Sequence, residues 1–288
     1  MRAHLLERQP ALVTEDDFIG TYESAQSSHV KHNLDFLAEH DILPLTYMNP
    51  KLPQINALIA WTMWAGCMQN NRCLLYDVPL EALVDLEEPL GIEFRRGKKK
   101  AVEFSPNNAY ARIMSLLGVR QGKGTSDHPD GKVNELLQLP GYIRFLRDHK
   151  RQAHYEERDV SNKILIDYVQ IMMHNKLYKA RGIKFGLNLH ASKDKFQSLF
   201  FANEVISLFN AIYPAIGLSD ENIEYYHNPK QKSHHTKILF KREEILNGIA
   251  EYGLFDLSFR GHYHQYAERP DVTSGGAIFL NPPGTPEE

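Results

Sequence analysis

The chain has 288 residues, 42% of them hydrophobic, a net charge of −3 and two cysteines. Length and apolar content suit two domains, or one duplicated domain, with a sizeable core. The charge excludes a uniformly basic nucleic-acid binder, and Cys67 and Cys73, with no CxxC pairing, exclude a disulfide scaffold or a zinc knuckle.

The opening MRAHLLERQPALVTEDD lacks the apolar centre of a secretion signal and turns acidic early, so an intracellular location is expected, cytoplasmic with an organelle left open. Residues 1–54 read as a helical extension. Thr14-Glu-Asp-Asp is a helix-start signal, and Ile19, Tyr22, Val30, Leu34, Phe36 and Leu37 suit one or two amphipathic helices. Pro44, Pro50 and Pro53 make 42–54 a linker.

An apolar helix is expected from Leu58 to Gln69. The whole apolar stretch, Ile55 to Met68, is interrupted by Asn56, Thr62 and Gly66 and is too short to span a bilayer, so no membrane partner is expected. Arg72 to Tyr76 suits a strand and Pro79 to Leu86 a helix. Gly91-IEF, RRGKKK and AVEF read as a strand–turn–strand hairpin. Charge shifts sharply here: Cys73 to Phe94 holds six acids and no Lys or Arg, whereas Arg95 to Lys123 holds eight bases against one acid, Glu103. The near-neutral total therefore hides a cationic segment, either a solvated hairpin tip or an anion-binding surface. Asn107 to Leu117 suits an amphipathic helix stopped by Gly118, and 119–140 a loop with a turn of helix at NELL.

The order then begins again. Ser161 to Met173 reads as a second apolar helix, Ile183 to Leu189 as a strand, Phe196 to Ile212 as a long helix, and IEYYH and TKILFK as strands flanking NPKQKSHH. Glu243 to Tyr252 reads as a closing helix. Helix, strand, helix, strand pair, helix thus occurs twice, a structural repeat without a solenoid period.

Two stretches hold corresponding places in this order, WAGCMQNNR (64–72) and YVQIMMHNK (168–176). Each is apolar and then ends in Asn followed by a cation. Polar residues of this kind suit an ordinary helix C-terminus, where Asn tolerates the left-handed conformation and a cation complements the dipole. With their order and spacing, the stretches also resemble the paired motifs of the LAGLIDADG homing endonucleases and their maturase relatives. Ala65-Gly66 matches the small pair that lets two helices pack closely. ARIMSLLGVRQGKG with LQLPGYI resembles the family's first-repeat tail, and KILFKREEILNGIAEYGL the second.

The resemblance implies an α/β protein (α+β, mixed sheets) with two pseudo-symmetric αββαββ halves and saddle-shaped sheets. The implied division is an extension at 1–54, a first repeat with linker at 55–150, a second repeat at 151–254 and an irregular tail at 255–288. In the family the last Asp of each motif binds a divalent metal beside the scissile phosphate. Those positions fall on Asn71 and Asn175, 104 residues apart, with Arg72 and Lys176 in the places of the following Gly. Neutral amides beside cations are poor ligands for a hard divalent ion, which takes charged oxygens. The expectation is a monomer that binds DNA or structured RNA with cleavage impaired, and no cofactor.

Candidate contacts on the first repeat are Arg95, Arg96, Lys98, Lys99, Lys100 and Lys123. On the second they are Lys176, Lys184, Asn188, His190, Tyr225, Lys230, Lys232 and Lys237. The cations would give salt-sensitive phosphate affinity, and Asn, His and Tyr would add readout. One alternative is an active Mg2+-dependent homing endonuclease in which an acid such as Asp77 supplies the ligand. The tail GLFDLSFRGHYHQYAERPDVTSGGAIFLNPPG resembles instead the end of calcineurin-like metallophosphoesterases. In that alternative His235, His262 and His264 would serve a dinuclear divalent metal, although the Asp-x-His, Gly-Asp and Gly-Asn-His companions are missing from the chain.

Overall fold

The computed structural model of the chain describes residues 5–22, 28–69, 71–76, 78–97, 101–119, 138–150, 155–179, 185–190, 194–228 and 233–240. They fall into two compact units, one drawn from Met1–Thr125 with Pro140–Ile164 and the other from Ser126–Leu139 with Leu165–Glu288. Each unit combines helices with a four-stranded sheet whose neighbouring strands are antiparallel, so the class is mixed α/β, as the sequence suggests.

In the first unit, Thr14 caps α1 (Glu15–Gly20). Its hydroxyl accepts from the Asp17 N–H while the Asp17 carboxylate accepts from the Thr14 N–H, a reciprocal box that satisfies two orphan donors. After α2 (Ser28–Glu39), the expected N-terminal extension is part of this unit's core rather than a separate preface. Val13 bridges to Leu45, the Arg112 guanidinium lies 3.6 Å from the Tyr22 ring centroid, and Phe36 meets Tyr110 edge to face. The expected linker also ends early. Pro53 stands in the first turn of α3 (Leu52–Ala65), where its missing N–H costs no helical bond.

Helix α3 buries Leu58, Ile59, Ala60, Trp61 and Trp64, apolar residues lying all around its circumference. It ends at Ala65, four residues before the expected Gln69. Gly66 opens β1 (Gly66–Gln69), which pairs with β2 (Arg72–Tyr76). A Cβ on Gly66 would collide with the Leu74 carbonyl oxygen, so the close entry into the hairpin requires glycine. The expected helix at 79–86 resolves into a 3-10 turn, Leu80–Ala82, and α4 (Val84–Leu90). The expected hairpin appears as β3 (Arg95–Arg96) and β4 (Ala101–Glu103), giving the sheet order β1-β2-β4-β3. Helix α5 (Asn107–Leu116) covers one face: the Cys73 sulfur lies 3.4 Å from that of Met114, and Asn107 bonds both the N–H and the carbonyl of Cys73.

A short helix, α6 (Gly141–His149), follows Pro140, in a stretch to which the sequence reading assigns no element. Its Tyr142 hydroxyl donates to the Asn56 amide oxygen at 2.8 Å, and the Asn56 amide donates to the Ile164 carbonyl at 3.0 Å. This buried chain ties α3 and α6 to α7 (Tyr155–Lys176), which is longer at both ends than the expected Ser161 to Met173. The division between the units falls inside α7, between Ile164 and Leu165, rather than at residue 150.

The second unit continues from α7 into β5 (Leu177–Lys179) and β6 (Phe185–His190), then α8 (Lys195–Ile212), β7 (Ile223–Asn228) and β8 (Ser233–Phe240). Asp194 caps α8 by accepting from the Phe196 N–H at 2.8 Å. Phe201, Val205, Leu208, Phe209 and Ile212 of α8 are buried, and Phe209 meets Phe240 edge to face at 6.0 Å. The sheet order is β5-β6-β8-β7. Each sheet therefore follows directly on a buried helix, and each places its strands in the same relative order. No helix among the described residues is long and apolar enough to cross a membrane. The expected helix at 243–252 and the tail at 255–288 lie outside the described residues.

Candidate nucleic-acid interface

Strand register decides which side chains a sheet can offer a ligand, because neighbouring residues point to opposite faces. In the second unit Leu187, Leu189, Thr236, Ile238 and Phe240 are buried on the face packed by α8. Tyr225 pairs with Thr236 and so belongs to that same face. The Lys195 ammonium of α8 lies 5.8 Å from its ring, and burial, then the Asp194 carboxylate, push its phenol up. Tyr225 is thus a contact between strand and helix, which corrects its expected place among groove-facing residues.

The other face carries Asn188, Lys237 and Glu224 in one cross-strand row, and His235 and Tyr226 in the next, while His190 is placed by its backbone pairing with His235. Asn188 and Glu224 are exposed, His235 and Lys237 half-buried, and Tyr226 is 55% exposed. Tyr226 was missed, since only the register with Lys237 and His235 tells it from its neighbour. An uncovered aromatic ring, an amide and an ammonium on adjacent positions can stack a base and bind a phosphate.

In the first unit Cys73, Leu75 and Val102 face α5, so Arg72, Leu74, Tyr76, Glu103 and Arg95 share the other side. Arg95 is exposed and bonds Glu93 at 2.7 Å, a solvent-exposed pair that adds little to stability. Arg96 pairs with Val102, so it belongs to the α5 side of the edge strand, where it remains exposed. The two basic residues therefore do not act on one surface. Cys67 and Cys73 are free buried thiols on opposite faces, and burial pushes the Cys73 thiol up to about 12.

The two Asn positions differ in kind. Asn71 is exposed with φ 55°, and Gln69 pairs with Arg72, so it belongs to the two-residue turn of the β1–β2 hairpin. This left-handed position suits Asn for conformational reasons. It corrects the expectation that Asn71 ends a helix: α3 ends six residues earlier, at Ala65, which carries no ligand atom. Asn175 does lie in the last turn of its helix, and its amide donates to the Ile171 carbonyl at 2.8 Å. The following Lys176 is half-buried, and burial lowers its amine to about 8. It is a constrained cation, unlike the exposed Arg72.

Lys98, Lys99, Lys100, Lys123, Lys184, Lys230 and Lys232 lie outside the described residues, as do Asp77, His262 and His264. His235 is placed in the middle of a paired strand. Among the described residues no three His, Cys, Asp or Glu side chains converge as a metal site. No protein-family model matches the chain, and no curated protein matches it either.

Proposed function

We propose that this protein binds nucleic acid, DNA or structured RNA, through the sheet faces turned away from α5 and α8, as a relative of the LAGLIDADG homing endonucleases with impaired cleavage. The observation that carries this reading is the shared arrangement of the two units. Each has an antiparallel sheet that follows directly on a buried helix, in the relative order first-second-fourth-third. That is the element order the resemblance implies for its two repeats.

On this reading phosphate oxygens meet exposed Arg72 and Arg95 in the first unit and Lys237 in the second, while Tyr226 offers a ring and Asn188 an amide. The phosphate contacts set affinity and salt dependence, and the ring and amide add preference. Cleavage is impaired because the helix ends supply Ala65 and Asn175 in place of carboxylates, and a hard divalent cation requires charged oxygen ligands. Lys176, directly after Asn175, adds positive charge where a metal would need negative charge.

Incubating plasmid and structured RNA with the full-length chain, in chelator and then in Mg2+ or Mn2+, tests this reading. Retention in all conditions without strand scission is expected. Metal-dependent scission would overturn the impairment and establish the active nuclease. Absence of retention, with turnover of a chromogenic phosphoester that is lost on His262→Ala, would establish the phosphoesterase.

A further inference from the structure

Strand β7 stands at the end of the second unit's sheet order, β5-β6-β8-β7. Side chains alternate between faces along a strand. Tyr225 lies against Lys195 of α8, so its neighbours Glu224 and Tyr226 both belong to the face turned away from that helix. Glu224 is exposed and pairs with Lys237 of β8, which pairs in turn with Asn188 of β6. Tyr226, 55% exposed, pairs with His235. An acid thus stands in the same row as Lys237, about 6.5–7 Å along the strand from an exposed ring.

From this placement we infer that Glu224 and Tyr226 form a subsite for an unpaired guanine of the bound nucleic acid. Tyr226 stacks on the base, and the Glu224 carboxylate accepts from its N1–H and N2–H groups. The inference rests on the nucleic-acid reading above and names what this part of the sheet takes. Charge argues for it. A carboxylate repels phosphate, so a surface serving the backbone alone gains nothing from Glu224, whereas base edges that carry donors are attracted to it. Guanine presents two donors side by side on its Watson–Crick edge, matching the two oxygens of a carboxylate. Adenine, cytosine and uracil set an acceptor beside each donor. In a duplex that edge is taken up by pairing and the base face by stacking, so only an unpaired guanine offers both. The exposed Tyr226 ring supplies the platform for the face, and Lys237, opposite Glu224, takes a phosphate of the same strand.

The test is fluorescence anisotropy of the full-length chain, in chelator, with hairpins that share one stem and carry an oligouridine loop (oligothymidine in the DNA versions). The central loop base is guanine, adenine, cytosine, hypoxanthine or left unchanged, and the blunt stem duplex is a further probe. The guanine loop is expected to bind at least about fivefold tighter than the adenine, cytosine and unchanged loops, in RNA, DNA or both. Hypoxanthine, which lacks the N2 donor, falls between. Glu224→Gln has nearly the same shape but offers one acceptor and one donor. It brings the guanine loop down to the level of the others without weakening those, which guards against misfolding as the explanation. Tyr226→Ala weakens every loop, and Tyr226→Trp restores them. Equal affinity for all loops, a guanine preference that survives Glu224→Gln, or loop binding untouched by Tyr226→Ala overturns the inference while the nucleic-acid reading stands. Binding of no probe at low salt, the blunt duplex included, overturns both.

Discussion

The side-chain amide of Asn175 donates to the Ile171 carbonyl oxygen at 2.8 Å, one turn back along α7. A carboxylate at this position has no proton to give and would set negative charge against that oxygen. Asn175→Asp is therefore expected to lower stability by about 1–3 kcal/mol. It should also gain no Mg2+-dependent scission, because Ala65 ends the other helix without a ligand. The urea midpoint and a plasmid assay read both outcomes, and a nicking activity in the variant would contradict the account.

Asn71 occupies a left-handed turn position, φ 55°, in the hairpin between β1 and β2. Glycine satisfies that conformation without any side chain. Asn71→Gly is expected to change stability by less than about 0.5 kcal/mol and to leave nucleic-acid affinity unchanged. Asn71→Val should cost roughly 1–2 kcal/mol through backbone strain. A large loss of binding in the glycine variant, with the fold intact, would show that the amide itself contacts the ligand.

Tyr225 and Tyr226 are neighbours on β7 with opposite surroundings, the first against α8 and the second 55% exposed. Tyr226→Ala should weaken single-strand or loop binding by about 1–3 kcal/mol while leaving the melting temperature nearly unchanged. Tyr225→Ala should do the reverse, lowering thermal stability with little effect on affinity. Anisotropy titrations and thermal melts on both variants make the comparison.

Much of the fold was legible locally. Arg72–Tyr76 and the two strands around NPKQKSHH follow from β-rich runs bounded by polar turns. The end of α3 was not, because Cys67 and Met68 are as apolar as the helix before them and only Gly66 marks the change. That error moved a helix-end position from Ala65 to Asn71. Helix α6 did carry a signal: Tyr142, Ile143, Leu146 and His149 recur at helical spacing and are all buried. The assignment of Tyr225 against Tyr226 had no local signal, since a face is set by pairing with β8, more than six residues away in sequence.

Lys176 supplies a pH dependence. Burial lowers its amine from 10.5 to about 8, so between those values the unfolded chain binds more protons and stability rises with pH. Below about pH 8 the cost of the buried charge is present in full, on the order of 1–3 kcal/mol. Lys176→Met is expected to be more stable than the native chain at pH 7, with the advantage shrinking as pH rises toward 10.5. Urea midpoints at pH 7, 9 and 10 measure it. A pH-independent difference would show that the lysine's charge is not the cause.

The most direct measurement is the affinity of the full-length chain for labelled duplex and hairpin RNA in chelator, followed by anisotropy across a series of salt concentrations. The account predicts binding without metal, a linear fall of log affinity with log salt, and a slope reduced by roughly one in Arg72→Ala and in Lys237→Ala. No binding at the lowest salt, or slopes that neither substitution moves, would contradict it.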